Sequence, residues 1–373
     1  MKKILILAIC IATLGFANAQ NDVKSVYEAG KSADEVFKKA KTKLALNSED
    51  PNVDQLEMSN SLMEAYNLFM QALPLDSVPN EKGKIKPKYS KKIIGAIESH
   101  IKDGDFVNAG IVFYNANKRY PEAYNAFMLA AELPTQPLFE KVANLYPDTI
   151  RAIWISNAGN CAYATQHYQK AAEAYALSRQ LGNVELDVFK YEIASYQNWS
   201  ASDSTVGEYT QKKIFECAED AYKIYGAADS YLFRNYINKF FLSDNFEKGV
   251  EVINSEISKN PTNGELYQLL GLFYENAEKD DLAVQNYLKA AEISDNYEIL
   301  KDVSRKIYNF GANKLQSIIG DSPEATIQRN EIKVKYFENA LKIAEKAKGV
   351  NTQNDPSIYS IIDTINYGLE TFF

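Results

Sequence analysis

Histidines and the glycine-containing catalytic motifs are the features from which catalysis or metal binding would be inferred. The sequence has two histidines, His100 and His167, and neither occurs in an HExxH or CxxH spacing that could hold a metal ion. No GxGxxG, GxxxxGK or GxSxG motif is present, so neither a phosphate-binding loop nor a nucleophilic serine is indicated. Aspartate and glutamate are abundant, but their spacing is typical of solvated helix faces. These patterns predict a protein that is not an enzyme and has no metal or cofactor.

Two of the three cysteines and both tryptophans allow further chemistry. Cys161 and Cys217 could form a disulfide in an oxidising compartment, but we expect two small core residues with free thiols. Trp154 and Trp199 could stack on sugars, although packing between helices is the more common role. Both pairs are therefore expected to support the fold rather than a reaction.

The charge balance limits the classes of partner. Lysine and arginine number 41 against 49 aspartates and glutamates, a formal net charge of −8, which disfavours nucleic acid or anionic lipid as the main partner. One basic patch stands out on this acidic chain. It consists of Lys82, Lys84, Lys86, Lys88, Lys91 and Lys92. We expect these lysines to lie on a solvated loop, and the alternative is that they bind an acidic partner.

The first nineteen residues predict an export signal. A basic start is followed by an apolar run that is shorter than the roughly 20 residues needed to span a bilayer. Ala17-Asn18-Ala19 then forms a small-x-small cleavage site before Gln20. Cleavage between Ala19 and Gln20 is therefore expected, and no later segment is apolar for long enough to form a transmembrane helix.

The rest of the chain contains helical periodicity in pairs of runs. In residues 264–293, Tyr267, Gly271 and Tyr274 share one helix face. Ala283 and Tyr287 lie on a second amphipathic helix. Glycine costs a helix roughly 1 kcal/mol relative to alanine. We expect Gly271 to face Ala283, so that the two backbones approach closely and offset that cost.

Copies of this pair occur elsewhere in the sequence. Residues 231–261 lie 34 residues upstream in register, with Phe233 at the position of Tyr267. In residues 155–178, Gly159 and Tyr175 have the same spacing as Gly271 and Tyr287. Residues 107–134 contain a further copy, with Phe127 in its second helix. One helix pair cannot bury both of its faces, so the repetition predicts a stacked array.

The sequence resembles the tetratricopeptide repeat family at this point. Residues 264–293 match the family pattern through an aromatic, Leu-Gly, a second aromatic, and a following Ala-aromatic-Ala, although Asp295 replaces the closing proline. The resemblance covers most of residues 55–345. It implies an all-α fold, a right-handed superhelical solenoid of antiparallel helix pairs. It also suggests an exported bacterial member of that family.

The predicted organisation has three parts. Residues 1–19 are the signal peptide, 20–346 the repeat array, and 347–373 a linker followed by a helix that caps the last repeat. The segment 74–92, which contains three prolines, is expected to be an exposed loop. The clearest repeat units lie at about 105–133, 150–179, 230–261 and 264–295.

Stacked repeats form a groove lined by side chains of the first helix of each pair. Their amide, aromatic and single charged groups suit the backbone of an extended peptide, and they comprise Ser156, Asn160, Tyr163, Arg234, Asn238, Phe241, Gln268, Leu272, Glu275 and Asn276. Some family members bind a C-terminal carboxylate with a basic residue, an Asn four later, and an Asn in the next repeat. Arg234 and Asn238 match the first half, but Leu269 replaces the second Asn, which argues against such a clamp.

We therefore expect a non-catalytic protein–protein interaction scaffold of the bacterial cell envelope, located in the periplasm, associated with the envelope, or secreted. Its predicted partner is a protein or peptide segment, not nucleic acid. A homodimer formed through an uncapped end of the array is compatible with the pattern. The alternative is a carbohydrate- or nutrient-binding envelope protein on a similar scaffold.

Overall fold

The computed structural model describes residues 16–46, 54–78, 85–116, 118–242, 245–320, 322–352 and 354–373, with side chains from Asp22 onward. Every regular element in these ranges is helical, which confirms the predicted all-α class. Most of the predicted signal peptide, residues 1–15, lies outside the described residues. The first helix begins at Phe16 and continues through the predicted cleavage site at Ala19 and Gln20.

The chain divides into two compact units, Met1–Cys217 and Ala218–Phe373. The described helices of unit 1 are α1 (Phe16–Leu46), α2 (Gln55–Asp76), α3 (Ser90–Lys102), α4 (Asp105–Asn115), α5 (Tyr120–Glu132), α6 (Asp148–Ala164), α7 (Tyr168–Gln180), α8 (Leu186–Ser202) and most of α9 (Gly207–Tyr225). Unit 2 follows with α10 (Ser230–Phe241), α11 (Phe246–Lys259), α12 (Gly264–Asn276), α13 (Asp280–Ile293), α14 (Tyr297–Gln316), α15 (Pro323–Ile332), α16 (Asn339–Gly349) and α17 (Ser357–Phe372).

Successive helices form antiparallel pairs, as predicted. Residues 277–279 connect α12 to α13, and the two helices pack along each other. Each of the four clearest predicted units contains one such pair, namely α4–α5, α6–α7, α10–α11 and α12–α13. The fold is therefore a tetratricopeptide-like array of helix pairs within each unit.

A glycine on the first helix makes room for an aromatic ring on the second. A Cβ atom added to Gly271 would lie 2.6 Å from the ring of Tyr287, closer than real Cβ contacts allow. The same arrangement joins Gly159 to Tyr175 at 2.9 Å, and Gly110 to Phe127 at 2.7 Å. We call these the glycine–ring contacts. They anchor three helix pairs in the two units.

The sequence led us to expect Ala283 opposite Gly271, but the residue closest to Gly271 is Tyr287. The three atoms closest to a Cβ on Gly271 all belong to the ring of Tyr287, while Ala283, one turn earlier on α13, is also fully buried. The missing side chain thus makes room for this ring.

The expected loop at 74–92 is shorter than predicted. Helix α2 continues through Pro74 to Asp76, and α3 begins at Ser90. The Asp76 carboxylate accepts hydrogen bonds from the backbone N–H groups of Lys88, Tyr89 and Ser90 at 2.8–2.9 Å. It therefore satisfies donors at the start of α3 from the end of the preceding helix.

The end of the chain is also helical. A π-helical segment, Lys333–Glu338, connects α15 to α16. Helix α17 packs against α14 and α16, and its residues Ile358 and Ile365 are fully buried. These contacts place α17 against the last helices of unit 2.

Candidate functional site

The first helices of unit 2 begin at side-chain caps that recur along the sequence. Asp229 accepts a hydrogen bond from the N–H of Leu232 before α10, Asn263 from Glu265 before α12, and Asn296 from Glu298 before α14. Aspartate and asparagine are favoured at this position because their oxygens satisfy free backbone donors. The caps fix the residue at which each helix starts, and therefore the position along the helix axis of the side chains that follow.

A row of polar side chains connects these three helices. Arg234 on α10 donates from Nη2 to Oε1 of Gln268 on α12 at 3.2 Å, across a separation of 34 residues. Gln268 donates in turn from Nε2 to Oδ2 of Asp302 on α14 at 2.8 Å, again across 34 residues. We call Arg234, Gln268 and Asp302 the polar ladder. Its spacing matches the 34-residue register found in the sequence.

Charged groups on both sides extend the polar ladder. Glu265 accepts a second hydrogen bond of Arg234 at 3.2 Å and one from the hydroxyl of Ser230. Arg305 donates to Oδ1 of Asp302 at 2.9 Å. The side chain of Arg234 is 40% exposed and that of Asp302 26%, so the ladder is accessible to solvent.

The other predicted groove residues of unit 2 have different environments. Asn238 and Asn276 are exposed, and Leu272 is half-buried. The ring of Phe241 lies 3.7 Å from the ring of Phe273, between centroids, and is half-buried.

Glu275 is engaged within unit 2. Its carboxylate accepts hydrogen bonds from the Tyr287 hydroxyl and from Nζ of Lys306, the latter at 2.7 Å. Glu275 therefore positions the ring that contacts Gly271, and it has less capacity left for a ligand than Asn238 or Asn276.

The position that would complete a carboxylate clamp is part of the core. Leu269 is 4% exposed and packs in the apolar cluster of α10–α12. Arg234 is held by Glu265 and Gln268 instead. Leu269 is therefore unavailable to a ligand at that position.

The predicted groove residues of unit 1 are engaged mainly inside their own helix pairs. Ser156 is buried and donates to the carbonyl of Ile153 at 2.9 Å. Asn160 accepts the hydroxyl of Tyr175 at 2.6 Å. Tyr163 accepts a hydrogen bond from Asn198 at 3.2 Å. This face is thus less open to a ligand than the face of unit 2.

Sequence reasoning missed Asp302 and Lys306, which lie on α14 beyond the clear repeat. The available signal was the register, because Asp302 follows Gln268 by 34 residues. In unit 1 it missed the exposed apolar side chains of Ile111, Tyr114 and Ile153 on α4 and α6.

A second polar cluster is buried in unit 1. His100 on α3 makes hydrogen bonds through Nδ1 to Asp105 at 2.8 Å and through Nε2 to Asp34 of α1 at 2.9 Å. Lys41 binds Asp105 at 2.7 Å, and Lys38 binds Asp34 at 2.7 Å. Two ionised carboxylates that face both ring nitrogens favour the imidazole form in which both nitrogens donate, which is the charged form. We call His100, Asp34 and Asp105 the histidine cluster.

The electrostatics of the histidine cluster follow from this geometry. Burial opposes the charged form of His100, but the hydrogen bonds to Asp105 and Asp34 outweigh it and raise its pKa. Burial would raise the pKa of Asp34, and the bonds from His100 and Lys38 lower it instead. The two carboxylates bind opposite sides of one ring and share no point for an ion, and no metal-binding group occurs among the residues that the structure covers.

The remaining candidates have structural environments. Cys161 and Cys217 are buried free thiols, and burial raises the pKa of Cys161 to about 12. Trp154 packs edge-on against Tyr146 at 4.7 Å. His167 is exposed and lies 3.0 Å from the hydroxyl of Thr165.

Four lysines of the basic patch, Lys86, Lys88, Lys91 and Lys92, are exposed. Lys82 and Lys84 lie outside the described residues. Within the described part of the chain, no helix is long and apolar enough to cross a membrane.

Comparisons with known proteins give low sequence identities. No protein-family model matches the chain, and no curated protein matches it significantly. The chain is similar to a TPR repeats protein from Bacteroides fragilis, at 14% identity over 71% of this chain and 98% of that one, with a TM-score of 0.35. It is also similar to yeast Tom70, at 13% identity over 95% of this chain and 82% of that one, with a TM-score of 0.32.

A third similar structure is the TPR2AB domain of yeast Sti1 in complex with pHSP90, at 14% identity over 93% of this chain and all (100%) of that one, with a TM-score of 0.22. The helix pairs, the glycine–ring contacts and the 34-residue ladder of this chain carry its fold assignment.

Proposed function

We propose that this protein is a non-catalytic scaffold that binds an extended segment of a partner protein along α10, α12 and α14. The observation that carries the proposal is the polar ladder, a solvent-accessible row that connects three successive first helices. Arg234 has five N–H donors, more than its bonds to Gln268 and Glu265 use. An extended peptide offers backbone donors and acceptors along its whole length, which a row of this kind can pair.

The dimensions of the face suit such a segment. Packed helix axes lie about 8–10 Å apart, so three successive first helices span roughly 20 Å. An extended chain rises about 3.3 Å per residue, which corresponds to roughly six residues. Asn238 and Asn276 stand exposed on the same helices and add amide groups next to the ladder.

Charge on this face is mixed rather than uniform. Arg234 and Arg305 lie beside Glu265 and Asp302, and these groups are already paired with each other. A polar segment without a strong net charge can therefore bind with little electrostatic repulsion.

The proposed location is the bacterial cell envelope. It is supported by the basic start, the apolar run and the small-x-small site of residues 1–19. The net charge of −8 supports a protein partner over nucleic acid.

The test is capture from a bacterial envelope extract by the full chain carrying a photo-crosslinking residue at Asn276. We expect crosslinks to one defined segment of a partner, which mass spectrometry would locate. The double variant R234A/N238A should weaken capture of that segment by about tenfold or more, because a charge-assisted contact and an amide are lost. Circular dichroism should show unchanged helicity.

The matched control is R329A/N330A on α15, outside the polar ladder. Its capture should equal that of the unmodified chain. Equal capture by R234A/N238A and the control would place the binding surface elsewhere.

A further inference from the structure

An open cleft of about 540 Å³ is lined by side chains of α12 and α13 and by one residue of α11, the second helix of the preceding pair. Its floor includes Tyr267, Leu270 and Tyr274 of α12, and its walls include Asn254 of α11 and Gln285 of α13. A volume of this size is in the range of sites for small ligands, about 300–1,000 Å³.

The cleft is separate from the polar ladder. Each residue turns a helix by about 100°, so Tyr267 and Tyr274 share one side of α12, and Gln268 points about 100–120° away from them. None of the ladder residues lines the cleft. A ligand there would not compete for the face proposed to bind a peptide.

Four polar side chains of the cleft are uncommitted, whereas the amide of a fifth, Asn286, donates to the carbonyl of Leu282 at 2.8 Å. Asn254 and Gln285 are exposed, and their side-chain amides make no hydrogen bond within the described residues. The hydroxyls of Tyr267 and Tyr274 also have no hydrogen-bond partner there. An amide side chain offers donors and an acceptor, and a phenol offers one of each. The cleft therefore presents several free donors and acceptors around two half-exposed rings.

The cleft is electrically neutral. Its two charged side chains, Lys289 and Glu292, form an ion pair with each other at 2.9 Å. A charged ligand would lose hydration without gaining an opposite charge, which disfavours it. An uncharged ligand with many hydroxyl groups suits this lining better.

We propose that this cleft binds a neutral saccharide of one or two rings. The apolar face of a pyranose can stack on the ring of Tyr267 or Tyr274. Its hydroxyls can pair with the amides of Asn254 and Gln285, which both donate and accept. The shape favours a compact ligand over an extended peptide, because the cleft is confined to one helix pair and a single residue, Asn254, of the pair before.

The test begins with the full chain on an array of neutral mono- and disaccharides, followed by titration of the best sugar by saturation-transfer NMR. We expect saturable binding. The double variant N254A/Q285A should bind that sugar at least about tenfold more weakly, since two hydrogen-bonding groups are lost. Y274F, which removes only a hydroxyl, should give a smaller loss and keep the fold.

The matched control is Q328A/N330A, an exposed Gln and Asn of α15 outside the cleft. It should bind the sugar as the unmodified chain does. Absence of binding to every neutral glycan, or equal binding by N254A/Q285A and the control, would overturn the proposal. Displacement of the sugar by a peptide that crosslinks at Gln285 would also overturn it in favour of a protein ligand.

Discussion

The glycine–ring contacts turn a residue of low helix propensity into a stabilising position. Gly271 lies mid-helix, where glycine normally costs about 1 kcal/mol, and the ring of Tyr287 fills the space where its Cβ would be. Tyr287 is completely buried, and its hydroxyl donates to Glu275. The absent methyl group therefore allows a large ring to be buried with its polar end satisfied.

We predict that Gly271→Ala destabilises the protein by about 1 kcal/mol net. The added Cβ would lie 2.6 Å from the Tyr287 ring, and overpacking typically costs about 1–3 kcal/mol. That cost exceeds the about 1 kcal/mol that alanine gains as a helix former. Urea unfolding followed by circular dichroism would measure the change.

The control is Gly95→Ala within α3, where an added Cβ has no neighbour within 4 Å. This variant should gain up to about 1 kcal/mol of stability. If both variants were stabilised equally, the Gly271–Tyr287 contact would not have the proposed effect.

The histidine cluster predicts a specific pH dependence. The pKa of His100 is raised in the fold, so its contribution to stability is complete below its ordinary value of 6.5 and is lost as pH rises through the raised value. The pKa of Asp34 is lowered, so its contribution is present above 3.8 and is lost as pH falls. Stability from this cluster should therefore be greatest between those limits.

We predict that His100→Gln lowers the free energy of unfolding by about 3 kcal/mol near pH 6, because two buried carboxylates lose their shared cation. Lys38 and Lys41 remain beside Asp34 and Asp105 and moderate the effect, although Asp103 shares Lys41. Urea titrations from pH 5 to 9 would show a flatter profile than in the unmodified chain. The control is His167→Gln, at an exposed position, which should leave the pH profile of stability unchanged. A flatter profile for this variant too would contradict the role of the histidine cluster.

At the scale of elements, one buried ion pair connects α7 to α8. Arg179 donates from Nε and Nη2 to both oxygens of Glu192, at 2.8 and 3.0 Å, and Glu192 is fully buried. Burial raises the pKa of Glu192, against the opposite effect of Arg179. The arginine therefore compensates a carboxylate that the interior would otherwise disfavour.

We predict that Arg179→Met destabilises unit 1 by about 3–5 kcal/mol, since it leaves that carboxylate without its bidentate partner. The double variant R179M/E192M should recover much of the loss, because no charge then remains buried. Thermal or urea unfolding of the single and double variants would measure both. A double variant as unstable as the single one would show that packing, and not charge, explains the loss.

Local sequence patterns predicted the helices and their pairing well. The 34-residue register and the Gly271/Tyr287 spacing are short-range signals, and they identified the pairs α10–α11 and α12–α13. Patterns of this kind did not reveal that His100 contacts Asp34, which lies 66 residues away on a helix that the repeat does not include. They also could not decide whether Gly271 approaches Ala283 or Tyr287, since both share the buried side of α13.

The candidate site was predicted in part for the same reason. Arg234 and Gln268 occupy equivalent repeat positions, so their shared row followed from alignment. Asp302 was missed because its helix has Lys301 and Arg305 where the 34-residue register would place the aromatic residue and the glycine of the pattern. The hydrogen bond from Lys306 to Glu275 joins two different helix pairs, so the pattern of a single repeat could not predict it.

At the scale of the molecule, the chain consists of two compact units divided near Cys217. In helical arrays each pair interacts mainly with its neighbours, so local destabilisation spreads within an array before it spreads beyond. We predict that Gly271→Ala raises hydrogen exchange throughout α10–α14 and leaves α2–α6 unchanged, as peptide-resolved mass spectrometry would show. Equal acceleration in both units would indicate a single cooperative structure.

The predicted export signal also belongs to this scale. Expressed in a Gram-negative host, the protein should be recovered from the periplasmic fraction with Gln20 at its N-terminus. Intact-mass spectrometry would measure this. Recovery of the chain with its first nineteen residues in the cytoplasmic fraction would refute both the signal and the proposed envelope location.

The glycine–ring contacts have a consequence for how such a sequence can diverge. The space beside Gly159 or Gly271 suits only a hydrogen atom while the opposing residue remains tyrosine. If alanine replaces this glycine during evolution, the tyrosine must be replaced by a smaller side chain. A chain that carries the alanine together with the original tyrosine is less stable. Homologous chains should accordingly show paired substitutions sixteen residues apart, and these could reveal the helix pairing where the rest of the repeat pattern has become unrecognisable.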